Sequence, residues 1–304
     1  MQNLQTTATY VMENDSFIIN TPSVSAAKCW PGDLGIFATH ALVFAELIVQ
    51  GKKHGIHSFI VPIRDPKTFE PLPGIEVGDI GPKYGYHTKD NGYLIMNNIS
   101  IPKTNMLRKF VSVSKTGRIK KKGDPKVSYA TMMIIRQILA CWMPRLYAKV
   151  IIIATRYSLF RTQFLTSDKT EIPIIDYQTQ KDKIITRMAE FVAICVGGNA
   201  VKDISNRNLA LVKDKNDFSL MAETHSCLCL GKALFTEIAY DGMEICRKAC
   251  GGHGFSHYSG IPMIIMDYAA LLTLEGENTI LYLQVTRYLL KNYKYALTKK
   301  EKVG

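Results

Sequence analysis

The hydrophobic period of the chain changes partway along, and that change restricts it to a fold built from two unlike parts. Up to about residue 110 the apolar residues come in short runs separated by Gly, Pro, Asn and Asp. Residues 6–12, a turn at Glu13-Asn14-Asp15-Ser16 and residues 17–19 read as a hairpin. Residues 41–49 and 57–63 flank Gly51-Lys52-Lys53-His54-Gly55 as a second strand-turn-strand unit. Pro71, Pro73, Gly74, Gly78, Gly81, Pro82 and Gly85 cut the next stretch into short strands and turns. Residues 92–96 and 99–102 close the region, which predicts a compact β-barrel or sandwich.

After a polar, basic stretch the period becomes helical. Residues 129–161 read as one long helix with a kink at Pro144. Asp176 is placed to N-cap a second helix running to about residue 207. Asp217-Phe218-Ser219 opens a third, which ends at Gly251-Gly252 as a glycine terminus should. A short helix over 262–270 precedes a last one over 280–293. Four main helices with moderate connections predict an antiparallel bundle. The expected architecture is therefore α+β and multidomain: a β domain at 1–110, a linker at 111–126 and an antiparallel four-helix bundle at 127–304.

Composition excludes several classes. Apolar residues make up 47% of the 304 and charged residues 21%, which fits a packed core rather than disorder. No run approaches the roughly 18 apolar residues of a membrane span; Val150-Ile151-Ile152-Ile153-Ala154 is cut short by Arg156. Neither end reads as an address, so a soluble intracellular protein is expected. The net charge of +12 comes mostly from scattered lysines, and the densest cluster, Arg118 with Lys120-Lys121-Lys122, sits in a polar loop. The charge could serve nucleic acid, an acidic membrane surface or an anionic small molecule; without a nucleic-acid module, no nucleic acid is expected. Seven unevenly spaced cysteines argue against a secreted disulfide framework. Cys227 and Cys229 are two apart on a helix and cannot grip one ion, so no metal is expected.

Chemistry concentrates near the C-terminus. Cys250-Gly251-Gly252-His253-Gly254-Phe255 lets backbone N–H groups approach a phosphate or a flavin. About twenty residues on, Leu274-Glu275-Gly276-Glu277-Asn278-Thr279 puts a carboxylate between an apolar run and a helix start, where it could serve as a base. Taken alone, these residues fit a helix-dipole acid and ordinary glycine C-caps better than a catalytic site.

Read in order, the chain resembles the acyl-CoA oxidases, within the acyl-CoA dehydrogenase and oxidase superfamily. The matching stretches include Leu4-Gln5-Thr6-Thr7-Ala8-Thr9-Tyr10, Trp30-Pro31-Gly32, Pro71-Leu72-Pro73-Gly74-Ile75, Asp176-Tyr177-Gln178-Thr179-Gln180, Ala249-Cys250-Gly251-Gly252-His253-Gly254 and Glu275-Gly276-Glu277-Asn278-Thr279. The last looks like the oxidase branch. The family has further helical domains on either side, so a portion of a longer protein or a shortened member is expected. The resemblance implies an FAD enzyme that oxidises a fatty acyl-CoA to the trans-2-enoyl-CoA and reduces O2 to hydrogen peroxide, in peroxisomal β-oxidation. A non-catalytic scaffold or complex subunit derived from the family is the alternative.

The resemblance also implies site residues. Glu275 is the base, and Ala269, Ala270, Leu271, Leu272 and Leu274 before it are expected to desolvate its carboxylate and raise its pKa. Trp30 and Gly32 match positions beside the flavin ring, while Asp33 stands where oxidases commonly carry glycine. Arg161 and Gln178 match positions that reach the FAD of a neighbouring subunit, with Gly251 and Gly252 along the same dinucleotide, which implies a homodimer. Arg136 lies 25 residues before Arg161, as does a family arginine near the ester end of the substrate.

Overall fold

A computed structural model describes residues 4–122, 126–142, 144–215 and 217–299. The chain divides into two compact units, Met1–Pro125 and Lys126–Gly304.

The first unit contains strands β1 (Thr7–Val11), β2 (Ser16–Asn20), β3 (Lys28–Cys29), β4 (His40–Val49), β5 (Lys52–Pro62), β6 (Ile75–Asp79), β7 (Gly92–Met96), β8 (Ile99–Pro102), β9 (Val111–Val113) and β10 (Ile119–Lys121). Five form one sheet in the order β5-β4-β1-β2-β8, and three form another in the order β3-β7-β6. All pairs in these sheets are antiparallel except β1 with β4. Side chains alternate across each strand. Ala8 and Tyr10, Phe17 and Ile19, Val43, Ala45 and Leu47, and Phe59 and Val61 therefore face inward, where Leu94 and Met96 of the second sheet join them in one core. Burying a large apolar side chain of this kind contributes roughly 1.5–3 kcal/mol.

Two expectations change here. The connection from β4 to β5 is only Gln50-Gly51, both at positive φ, the conformation a two-residue hairpin turn demands. Lys52 to Gly55 continue as strand, and a register shift between Glu46 and Ile48 absorbs the difference. The Glu46 carboxylate accepts the Gly55 N–H there at 2.6 Å. The stretch at 111–126 is also more than a linker. Residues 111–121 form the β9–β10 hairpin, with Val113 buried in the core. Its last part, 123–125, lies outside the described residues.

The second unit begins with α1 (Lys126–Trp142) and α2 (Pro144–Phe160), followed by a small ribbon of β11 (Thr162–Leu165) and β12 (Glu171–Pro173). It continues with α3 (Gln178–Lys215), α4 (Met221–Ala249), the one-turn α5 (Gly251–Phe255), α6 (Ile261–Ala269) and α7 (Asn278–Lys299). The helix expected over 129–161 is covered by α1 and α2, on either side of residue 143, which lies outside the described residues. Asp176 lies in a 3-10 turn before α3 rather than at its N-cap. Cross-helix contacts fix the directions. Gln137 meets Asn206, Cys141 meets the Gly198 carbonyl and Gln180 meets Ser158, so α3 runs antiparallel to α1 and α2. Gln180 also meets the Ala249 carbonyl, which makes α4 antiparallel to α3.

The bundle core joins Tyr147, Val150 and Ala154 of α2 to Ile184 and Ile194 of α3 and Ala239, Met243 and Cys246 of α4. The Tyr147 hydroxyl donates to Glu190 at 2.9 Å, and Arg187 pairs with Glu190 at 2.5 Å. Two stretches, Met133–Phe160 and Gln178–Lys215, are long and apolar enough to cross a membrane by length and composition. Counting apolar runs missed them because single charges interrupt the runs. Each contributes side chains to the bundle core, which accounts for part of their apolar character.

Candidate active site

In the bundle, the loop between α6 and α7 carries Glu275. Its φ is +57°, in the left-handed region that costs a non-glycine residue about 1–2 kcal/mol. Two cations hold the backbone there. Arg136 Nε of α1 donates to the Glu275 carbonyl at 3.1 Å. Lys232 Nζ of α4 donates to the Gly276 carbonyl at 2.8 Å, to Asn278 Oδ1 at 2.8 Å and to the Leu272 carbonyl at 3.4 Å. Asn278 Nδ2 in turn donates to the Ala233 carbonyl at 3.3 Å and to Thr236 Oγ1 at 3.1 Å. Glu277 caps α7: its carboxylate accepts from the Ile280 N–H and the Thr279 hydroxyl, and the Thr279 N–H leads the contacts that hold its pKa below the usual range.

The Glu275 side chain itself is exposed. The expectation that the preceding apolar residues desolvate it is therefore corrected. Leu271 turns into the bundle core and gives the carboxylate no cover.

Lys232 has 0% exposure. Burial pushes its pKa down to about 8; Arg136 acts in the same direction, while Glu277, Glu237 and Glu275 act against it. Arg136 also lies 3.4 Å from His225 Nδ1 and 3.7 Å from Cys229 Sγ. Burial first, then Arg136, lowers the His225 pKa. Sequence reasoning placed Arg136 near a ligand and missed Lys232. The available signal was register: Lys232 falls in the same helical stripe as Leu228, Thr236, Ala239 and Met243, all buried.

The remaining bundle residues assemble at the C-terminal end of α4. Gln180 Nε2 donates both to Ser158 Oγ and to the Ala249 carbonyl, each at 2.9 Å, and so ties together the ends of three helices. Arg161 follows α2, Gln178 opens α3, and Gly251 and Gly252 follow α4. Arg161 is exposed, with its guanidinium 3.3 Å from Gln163 Oε1. Gln178 is exposed and donates to Asp182 at 2.9 Å. A Cβ on Gly251 or Gly252 would meet open space within 4 Å, and Gly251 has φ +56°. His253 Nδ1 lies 3.3 Å from the Tyr157 hydroxyl. From Lys232 to Ala249 the helix rises about 25 Å at 1.5 Å per residue. The candidate residues of the bundle thus form two groups, one around Lys232 near the middle of α4 and one at its C-terminal end.

In the sheet unit, Trp30, Pro31 and Gly32 form a turn after β3. Trp30 is 62% exposed with φ +84°. Asp90 organises the segment that follows, accepting from the backbone N–H groups of Asp33, Ile36 and Phe37. Burial opposes its ionisation, but the N–H groups of Ile36 and Phe37 hold its pKa below the usual range. Asp33 has φ +64°, which explains why glycine suits the position and why aspartate is tolerated. Its carboxylate pairs with Lys89 at 2.5 Å. Arg64, 4% exposed, donates to the carbonyls of Leu34, Gly35 and Ala38 and pins the same segment from beneath. Pro31 and Gly32 line a hollow of about 710 Å³ with Ala27, Cys29, Ala41 and Leu94, whereas Trp30 does not line it. Among the described residues, no group of three His, Cys, Asp or Glu is arranged to hold a metal.

Residues 129–290 match the family model of the acyl-CoA oxidase C-alpha1 domain. The chain is 43% identical over 296 residues to peroxisomal acyl-coenzyme A oxidase 2 of Rattus norvegicus, covering 96% of this chain and 43% of that protein. Its structure is similar to that of Arabidopsis thaliana acyl-CoA oxidase 1, with a TM-score of 0.95 and 38% identity, over 100% of this chain and 47% of that one. It is similar too to Caenorhabditis elegans acyl-CoA oxidase-2, solved with FAD, ascaroside-CoA and ATP: the TM-score is 0.94 and the identity 36%, over 100% of this chain and 46% of the other. The chain therefore spans less than half the length of the relatives it matches.

Proposed function

The chain belongs to the acyl-CoA oxidase family, and on that premise we propose that it carries the FAD-dependent oxidation of a fatty acyl-CoA to the trans-2-enoyl-CoA, with O2 reduced to hydrogen peroxide, in the peroxisome. The observation that carries this reading is the loop at 272–278, where two cations hold Glu275 in a conformation its backbone would otherwise avoid. Strain of that kind persists where the surrounding structure over-determines it, often at sites of chemistry.

The residues fit the cofactor the family implies. The hollow beside Gly32 has room for a planar ring edge, and Trp30 offers an exposed aromatic face in the same turn. When bound, FAD supplies the acceptor for the hydride from Cβ and passes the electron pair to O2. Glu275 takes the Cα proton onto its carboxylate. A bound acyl chain would cover the carboxylate that the free loop leaves exposed. The positive charge of the chain suits the phosphates of CoA.

The separation of the two bundle groups supports a homodimer. Arg161, Gln178, Gly251 and Gly252 gather near Ala249, about 25 Å along α4 from Lys232, which holds the Glu275 loop; with the family resemblance of Arg161 and Gln178, this separation supports their serving the FAD of the partner protomer. Arg161 supplies a charge-assisted bond to the pyrophosphate.

Purified chain is expected to be yellow and to form peroxide with a fatty acyl-CoA. Glu275→Gln is expected to keep the flavin spectrum and to lose about 10²- to 10⁴-fold in the rate of flavin bleaching by substrate. A folded chain that binds no flavin overturns the proposal, as does a Glu275→Gln variant that bleaches at the wild-type rate.

A further inference from the structure

Among the described residues of the bundle, Lys232 is the cation with 0% exposure, and it takes no direct part in the proton or hydride transfer. Its helix carries it into the core stripe between Leu228 and Thr236, both at 0–1% exposure. A buried ammonium is costly unless its protons are satisfied. Its three protons have three acceptors, and two of these are the main-chain carbonyls of Leu272 and Gly276, which bracket Glu275. The third, Asn278 Oδ1, belongs to the first residue of α7. The ammonium thus ties the end of the α6 segment, the residue after the base and the start of the next helix to one fixed point. Arg136 holds the Glu275 carbonyl from another helix. Gly276 is confined as well, because at φ +113° a Cβ there would meet Leu281 at 2.8 Å.

We propose that Lys232 is a positioning residue for Glu275: its ammonium holds the 272–278 backbone in the left-handed turn that presents the carboxylate. The proposal rests on the reading of Glu275 as the base, but the geometry it asserts can be read without turnover. An ordinary core lysine would stabilise the whole bundle or nothing in particular. A positioning lysine acts on one loop, so its loss is local.

The test compares the chain with Lys232→Met, which keeps the length and apolar stem, and with Lys232→Gln, which keeps N–H donors without the charge. Hydrogen exchange is read first. In Lys232→Met the amides of residues 273–281 are expected to exchange at least about 10-fold faster while those of α3 stay unchanged. Lys232→Gln is expected to fall between. Flavin bleaching is read second. At saturating acyl-CoA the rate in Lys232→Met is expected to fall about 10²-fold, the typical cost of an ångström-scale misplacement. The half-saturating substrate concentration and the rate of reoxidation by O2 should stay within a factor of two or three.

Wild-type exchange over 273–281 in folded Lys232→Met overturns the proposal. Acceleration spread evenly over the bundle, or failure of both variants to fold, overturns it too, since the role is then global. If wild-type protein is not bleached by acyl-CoA, the functional reading fails, and the exchange data still decide whether Lys232 holds the loop.

Discussion

At the residue scale, Lys232 links structure to pH in two opposite directions. Its folded pKa of about 8 lies below the usual value of 10.5 for lysine. Between these values the unfolded chain binds more protons, so this group makes stability rise with pH from about 8 to 10.5; below 8 its full burial cost remains. The gain is at most about 3.5 kcal/mol, at about 1.4 kcal/mol per unit. The groups facing it are Arg136 from α1, Glu237 from its own helix, and Glu275 and Glu277 from the loop before α7. Urea unfolding at pH 7 and pH 10 checks the sign: the stability of wild type relative to Lys232→Met should increase at the higher pH. The flavin-bleaching rate should move the other way, falling above about pH 8 as the ammonium loses a donor, and Lys232→Met should lack that limb. Glu275 was legible because it stands in a motif with a family pattern around it. Lys232 was not, because a lone lysine is ordinarily solvated and only the tertiary packing of α4 against the loop shows that its three protons are taken. Arg64 escaped notice for the same reason, since carbonyl acceptors 26 to 30 residues away leave no local signal.

At the element scale, the helices and strands were largely readable from their periods, and the misreadings have local causes. The 111–126 stretch is polar in composition, yet Val111, Val113 and Ile119 are enough to seat a hairpin on the sheet core. The β4–β5 turn was drawn too long because Lys52, Lys53 and His54 look like loop residues, although all three belong to β5, with both lysines exposed and His54 half-buried. Glycines divide into two kinds that the sequence cannot tell apart. Gly242 lets α4 pass against α2 so closely that a Cβ would lie 2.0 Å from the Tyr147 hydroxyl. Gly242→Ala should therefore lose about 1–3 kcal/mol despite alanine's better helix propensity, read as a lower unfolding midpoint. Gly252 faces open space. Gly252→Ala should change stability by less than about 0.5 kcal/mol. If the glycine lies along the dinucleotide, the variant should retain less flavin after gel filtration. Unchanged retention would remove Gly252 from the cofactor site.

At the scale of the whole molecule, α4 acts as a spacer that keeps the Glu275 loop and the Arg161 group apart. In the proposed dimer each site takes its carboxylate from one protomer and its pyrophosphate contact from the other. Co-refolding equal amounts of Glu275→Gln and Arg161→Ala should then restore activity that neither has alone. Half of the pairs formed at random are mixed, and one site in each is intact, so recovery should approach about a quarter of the wild-type rate. No recovery on mixing, with sedimentation showing that mixed pairs form, would place both groups on the same site. The separation has a consequence for mixtures of healthy and damaged polypeptides. When an unaltered chain pairs with one lacking Arg161, the surviving reaction centre belongs to the mutant strand, and its unblemished neighbour is the silent one. A turnover-activated label would mark the mutant and spare the other, so that the lesion and its effect are found on different molecules.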